Sequence, residues 1–267
     1  MVAPMAPIAS APPPGPSGAA APRFSVVVPV RDEADNVGPL IAEIRIAMAA
    51  YAPYEIVFVD DGSGDRTPEN LKRVAGECRE LRVVRHRHPA GQTAAIVTGV
   101  RHALGEVIVT LDGDGQNDPA DIPTLLARFG EAADRDRLLV VGLRARRMDS
   151  WPKRISSRIA NAVRAWLLGD ATPDTGCGLK VFTRRAFLAM PAFDHMHRFL
   201  PALMLRQGGD VVSVPVNHRP RQAGATKYGV LDRLGVGIVD LIGVKWLMRR
   251  AALPAVETED NDRGSGA

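Results

Sequence analysis

From residue 24 onward, short apolar runs rich in β-branched residues alternate with longer segments in which apolar residues recur every three or four positions. FSVVVPV (24–30), EIVFVD (55–60), LRVVRH (81–86) and EVIVTLD (106–112) read as four strands, and LLVVGL (138–143) as a fifth. Their apolar residues run on with little alternation, which suits strands covered on both faces. Residues 35–50, 67–77 and 90–103, and a shorter stretch at 121–128, carry the helical period. Strand and helix in turn predict an α/β fold: a mostly parallel sheet with helices on both faces, joined by right-handed crossovers.

The ends of the chain break this pattern. Residues 1–22 form an Ala/Pro/Gly/Ser tract without the basic start and continuous apolar core of a signal peptide, so a disordered leader is expected. Residues 23–229 are expected to form one domain, 230–252 an amphipathic helix, and 253–267 a flexible polar tail. At 267 residues, 46% hydrophobic and 24% charged, the chain has an ordinary globular composition. A net charge of only +4 with 5% aromatics argues against a nucleic-acid surface and for local anion sites. Cys78 and Cys177 lack zinc-site spacing and fit buried thiols in a reducing compartment.

In an open parallel sheet, ligands bind beyond the carboxyl ends of the strands. Three such ends carry polar clusters: PVRDEADN after the first strand, VDDGSGDRT after the second and LDGDGQNDP after the fourth. Asp60, Asp61, Gly62 and Ser63 suit a tight turn whose carboxylate reaches a base or ribose, or equally a turn that caps the next helix. Asp112, Asp114 and Gln116 alternate and offer the hard oxygen donors that Mg2+ or Mn2+ takes. An ion there would bridge a diphosphate and neutralise charge on a departing nucleotide. An acidic turn is the plain alternative, but two aspartates at the end of a buried strand repel each other unless a cation compensates.

The blocks VVVPVRDEADNV, VDDGSGDRT, LDGDGQNDP, DTGCGLKVFTR and RQAGATKY, in this order, resemble glycosyltransferase family 2. The likeness is greater to its dolichol-phosphate mannosyltransferase-like branch, which includes bacterial undecaprenyl-phosphate sugar transferases, and it covers about 24–228. It implies a GT-A fold in which Pro29, Arg31, Glu33, Asp61 and Ser63 line the nucleotide pocket while Asp112, Asp114 and Gln116 hold the metal. Arg31 and Asp32 stand where such families commonly show an aromatic residue or Asn.

Transfer to a lipid phosphate must hold several negative groups together. Arg144, Arg154, Arg221 and Lys227 are the candidate cations, against the ordinary alternative of solvated surface charges. A phosphate acceptor is already ionised, so a single in-line displacement with inversion needs no dedicated base. Asp174, in PDTGCG, is a candidate base or orienter of a cation, and a turn or cap role is equally open.

LDRLGVGIVDLIGVKWLMRR (231–250) is interrupted by Asp240 and Lys245 and is too short in apolar residues to span a membrane. Trp246 with Arg249 and Arg250 suits a helix lying among headgroups, the alternative being a helix packed on the domain. The expected protein is an inverting transferase of a sugar from a GDP- or UDP-sugar to a polyprenyl phosphate such as undecaprenyl or dolichyl phosphate. It would work on the cytoplasmic face of the membrane, bound peripherally or through a separate membrane-protein partner. Two other readings remain: transfer to a saccharide hydroxyl with Asp174 as base, and a non-catalytic nucleotide-sugar-binding partner of a membrane protein. No GxGxxG follows the first strand, which disfavours a dinucleotide enzyme.

Overall fold

In a computed structural model, residues 21–144, 164–220 and 230–250 are described. The five apolar runs form β1 (Phe24–Val30), β2 (Tyr54–Asp60), β3 (Leu81–Arg85), β4 (Val107–Thr110) and β5 (Leu138–Arg144). Two further strands, β6 (Lys180–Thr183) and β7 (Asp210–Val216), went unread in the sequence. The seven join in one sheet of order β3-β2-β1-β4-β6-β5-β7. Every neighbouring pair is parallel except at β6, which runs antiparallel to both β4 and β5.

Successive side chains of a strand point to opposite faces, and the core divides accordingly. Val26, Val28, Ile56 and Phe58 pack with Ile41 and Ile44 of α1 (Val37–Met48) and Leu125 and Phe129 of α4 (Ile122–Gly130). Val27, Val57 and Val59 pack instead with Ile96 and Val100 of α3 (Gln92–His102). That second face continues over α5 (Arg184–Leu188) and α6 (Leu200–Arg206). Each such side chain contributes about 1.5–3 kcal/mol when fully buried. On α3 the fit is tight: a Cβ at Gly99 would lie 2.3 Å from a Val27 methyl, so helix and sheet meet backbone to side chain here. Two further helices are α2 (Thr67–Ala75), beside β3, and α7 (Val230–Arg249).

The topology decides what can meet. Parallel strands send their carboxyl ends to one edge of the sheet, and β6, being reversed, brings its amino end to the same edge. Lys180 therefore pairs with Thr110 of β4 and Val141 of β5, beside the acidic loop that follows β4.

The helix at the end places two of its charged side chains against the domain. Asp240 accepts from His195 Nδ1 at 2.9 Å, and Lys245 donates to the Leu167 carbonyl. Val244 is buried, while Val239, Ile242 and Trp246, at i, i+3 and i+7, are 69%, 65% and 60% exposed. Apolar residues thus lie on two sides of the helix, and the domain supplies partners for Asp240 and Lys245, as in the packed alternative.

Candidate active site

The first two loops are laced together by hydrogen bonds from backbone to short polar side chains. Asp32 takes a left-handed conformation (φ 53°), its amide donates to Ser63 Oγ at 2.9 Å, and its carboxylate accepts from Gly64 N at 2.8 Å. Glu33 N donates to Thr67 Oγ1 at 2.8 Å, and Glu33 Oε2 accepts from Asn36 Nδ2 at 2.6 Å. Pro29 lies half-buried within β1, and Arg31 is exposed at its end, 3.8 Å from Asp32.

Asp60 and Asp61 are both buried and both committed inside the fold. Asp60 accepts from Ser63 N at 2.9 Å and lies 3.0 Å from Arg85 Nε. Asp61 accepts from His86 Nδ1 at 2.8 Å and from the amides of Ala90 and Gly91 at 2.7 and 2.8 Å. Burial alone would raise the Asp61 pKa, but the bonds from Ala90, His86 and Gly91 outweigh it and hold the carboxyl below the usual range. These two aspartates fix the shape of the β2 and β3 ends.

The acidic loop after β4 is clamped from both sides. At Gly113 a Cβ would come within 2.4 Å of Val30 Cγ1 and 2.9 Å of the Pro29 carbonyl, so only glycine lets the loop cross the end of β1. Buried Asn117 accepts from Asp112 N at 3.2 Å and donates to Cys177 Sγ at 3.7 Å. Asp114 Oδ1 accepts from Gln116 N at 3.1 Å, and the Gln116 carbonyl accepts from Arg219 N at 2.9 Å. Arg219 also spans Glu43 and Asp118 at 2.7 and 2.6 Å.

Asp112 points over the loop that precedes β6, where a Cβ at Gly178 would sit 2.2 Å from its Oδ2. Its other oxygen accepts from Gln92 Nε2 at 2.9 Å. Burial, and then the neighbouring Asp114, push its pKa up to about 6. Two hard carboxylates crowded in this way, with Gln116 on the same turn, fit a divalent cation that would relieve their repulsion. No group of three or more His, Cys, Asp or Glu side chains able to hold a metal occurs among the described residues.

Asp174 is buried and grips Arg144 in a fork, Nε to Oδ2 at 2.6 Å and Nη2 to Oδ1 at 2.8 Å. That geometry makes the carboxylate an orienter of a cation, one of the roles its sequence position left open. The Asp174 bond raises the Arg144 pKa in spite of burial. Arg164 braces the same loop, 3.3 Å from Asp170 and bonded to the Thr172 carbonyl and Thr175 Oγ1. Arg154, Arg221 and Lys227 lie outside the described residues.

Between α3 and the ends of β4 and β6 opens a cleft of about 270 Å³. Asp112, Gln92, Lys180 and His197 line it with polar groups, and Ile96 and Leu200 with apolar ones. His197 Nδ1 lies 2.7 Å from Thr93 Oγ1. Burial, and then Lys180, drive its pKa down to about 3, so it is a neutral hydrogen-bonding group. Gln92, Lys180 and His197 escaped the sequence reading. Lys180 stood inside a quoted block without being singled out, and Gln92 and His197 carry no local signal.

The family model for glycosyl transferase family 2 matches residues 25–191. A dodecaprenyl-phosphate galacturonate synthase of Rhizobium johnstonii is 37% identical over 236 residues, covering 86% of this chain and 69% of the relative. An undecaprenyl-phosphate 4-deoxy-4-formamido-L-arabinose transferase of Edwardsiella ictaluri is 35% identical over 221 residues, covering 82% of this chain and 66% of the relative. The chain thus spans about two thirds of the length of these relatives.

Among solved structures, a Pyrobaculum calidifontis mannosyltransferase in complex with GDP-Man and Mn2+ superimposes with TM-score 0.63 at 22% identity, over 90% of this chain and 68% of that one. The glucosyl-3-phosphoglycerate synthase of Mycobacterium tuberculosis, in complex with Mn2+, UDP-Glc and glycerol 3-phosphate, gives TM-score 0.63 at 19% identity, over 88% and 82%. The fold is the GT-A fold of these neighbours, and the chain belongs to glycosyl transferase family 2, in the branch of its polyprenyl-phosphate sugar transferase relatives.

Proposed function

We propose that this chain transfers a sugar from a nucleotide-sugar to a polyprenyl phosphate with inversion at the anomeric carbon. The observation that carries the reading is the crowded Asp112 and Asp114 pair, clamped beside a cleft of sugar size with the Asp112 pKa pushed up to about 6. The two relatives named for dodecaprenyl and undecaprenyl phosphate support the lipid acceptor.

Asp112, Asp114 and Gln116 would hold Mg2+ or Mn2+, and the neighbours crystallised with Mn2+ support that choice. The bound ion supplies positive charge to the departing nucleoside diphosphate. Around it, Pro29, Arg31 and Glu33 would border the nucleotide, with Asp60, Asp61 and Ser63 holding the loops in shape. Asp174 would aim the Arg144 guanidinium at phosphate oxygens, joined by Arg154, Arg221 and Lys227. A lipid-phosphate oxygen then attacks the anomeric carbon while the bond from that carbon to the diphosphate oxygen breaks. The attacking group is already an anion, so no residue has to remove a proton.

That Asp174 is bound in a fork, and not open as a base, favours this acceptor over a saccharide hydroxyl. No helix among the described residues is long and apolar enough to cross a membrane. The outward Val239, Ile242 and Trp246 of α7 would instead rest in the headgroup region of the cytoplasmic leaflet, with or without a membrane-protein partner. The test is transfer of radiolabelled sugar to undecaprenyl phosphate with Mn2+, by wild type and by Asp114→Ala. Turnover by the wild type alone is expected, and equal rates in the two would sink the metal assignment. Strong transfer to an oligosaccharide with none to the lipid would sink the acceptor.

A further inference from the structure

Lys180 opens β6, lines the cleft and is only 4% exposed. An ammonium has three donors. Its one hydrogen-bond partner among the described residues is the backbone carbonyl of Cys177, a neutral group. No carboxylate of the described residues stands within ion-pair distance: Asp174 grips Arg144, and Asp112 turns one oxygen to Gln92. Burying an ammonium without a counter-ion costs several kcal/mol. That burial pushes the Lys180 pKa down, and the charges of Cys177, Asp112 and Asp174 offset it only in part.

A divalent ion at Asp112 would sharpen the imbalance, because it adds positive charge at the same cleft. An anion lying between the ion and the ammonium satisfies both. Of the other groups lining the cleft, Gln92 and neutral His197 can hydrogen-bond such a ligand, and Arg198 adds a second cation at the cleft wall. We propose that Lys180 is a direct substrate contact: its ammonium binds an anionic oxygen, phosphate or carboxylate, of a substrate seated in the cleft. The inference rests on the sugar-transfer reading and names the residue that places negative charge beside the reacting centre. Two sources carry such an oxygen, the phosphate of the lipid acceptor and a carboxylate on the donor sugar.

Calorimetry on the full chain with Mn2+ distinguishes them. The probes are geranyl phosphate with UDP or GDP present, and two matched donor pairs, UDP-glucose with UDP-glucuronate and GDP-mannose with GDP-mannuronate. Lys180→Met keeps the length of the side chain and removes its charge. At least a tenfold loss of affinity is expected for one probe class, geranyl phosphate if the acceptor phosphate is bound, or the uronate members alone if the sugar carboxylate is. Melting temperature should hold or rise, since a buried unpaired charge has gone, and Lys180→Arg should restore much of the lost affinity. Unchanged affinity for every probe, or a fall in melting temperature with a uniform small loss, would overturn the proposal and leave Lys180 a brace for the Cys177 loop. If wild type transfers sugar to undecaprenyl phosphate while Lys180→Met binds normally, this inference fails and the function stands. If wild type transfers nothing yet Lys180→Met loses the anion, the function fails and the inference stands.

Discussion

Glu55 at the amino edge of the sheet and the Asp112–Lys180 cleft at its carboxyl edge treat buried charge in opposite ways. At the amino edge, Glu55 is buried with every oxygen engaged: Oε1 accepts from Ser25 Oγ at 2.6 Å and Leu104 N at 2.5 Å, and Oε2 meets Arg82 Nη1 at 2.5 Å. Arg82 also donates to the His102 carbonyl at 2.9 Å. At the carboxyl edge, Asp112 is crowded by Asp114, and Lys180 has no ion pair among the described residues. A paired charge serves the fold, whereas one left open costs stability until a ligand arrives.

Removing a partner from the closed edge should cost the most. Glu55→Ala strands the Arg82 guanidinium and leaves the Leu104 amide and Ser25 hydroxyl without an acceptor. The expected loss is about 3–5 kcal/mol by denaturant titration, with donor affinity intact in the fraction that folds. A loss below about 1 kcal/mol would show that the amino edge is not the anchor its geometry suggests.

Asp114→Ala should do the reverse at the open edge. Turnover should fall about 10²–10³-fold, or about 2.7–4 kcal/mol in barrier. Stability should hold or rise, because one of two repelling carboxylates has gone. A large drop in melting temperature would mean that the acidic loop is structural, and the contrast between the edges would collapse.

Both edges could be located in the sequence to different degrees. The apolar runs at 24–30, 55–60 and 138–143 gave the strands because continuous Val, Ile and Leu leave little choice of partner. β6 was missed: KVFT is four residues long and follows a Gly- and Cys-containing loop, so no period can establish itself. The aspartates of LDGDGQNDP were legible because their spacing is local. Lys180 and His197 were not, since each becomes part of the site only through pairings far along the chain, β6 with β4 and Thr93 with His197. Asp60 and Asp61 were legible as a polar turn, open to a base or ribose or to a capping role, while their contacts with Ser63, Arg85, His86 and the 90–91 amides depend on loops that no motif records.

A smaller effect concerns pH. The folded pKa of Asp112 is raised to about 6, above its ordinary value near 4. Between those values the native chain keeps a proton that the unfolded chain has released. Metal-free stability is therefore greatest below this window and declines as pH rises through it. A metal ion must displace that proton, so Mn2+ affinity should weaken by up to about tenfold per pH unit below about 6 and level off above. Calorimetric titration at pH 5, 6 and 7.5 reads this directly. A flat profile would show that Asp112 is already ionised in the native chain and that the open edge is less strained than its crowding implies.

The smallest expected effect lies outside the sheet, on α7, where the logic of the open edge recurs with apolar surface in place of charge. Asp240 and Lys245 are satisfied by the domain, whereas Val239, Ile242 and Trp246 face outward. Because Trp246 is already 60% exposed, its replacement by Ala should barely change the melting temperature. If the face rests in headgroups, Trp246→Ala gives up about 1 kcal/mol of interfacial burial, or about fivefold in partitioning to anionic phospholipid vesicles by sedimentation. Transfer to soluble geranyl phosphate should be unchanged, and transfer to undecaprenyl phosphate in the same vesicles should fall in step with binding. Equal partitioning of variant and wild type would remove α7 from the membrane and leave its outward face to a protein partner. A parallel loss on the soluble acceptor would instead place Trp246 in the service of the cleft.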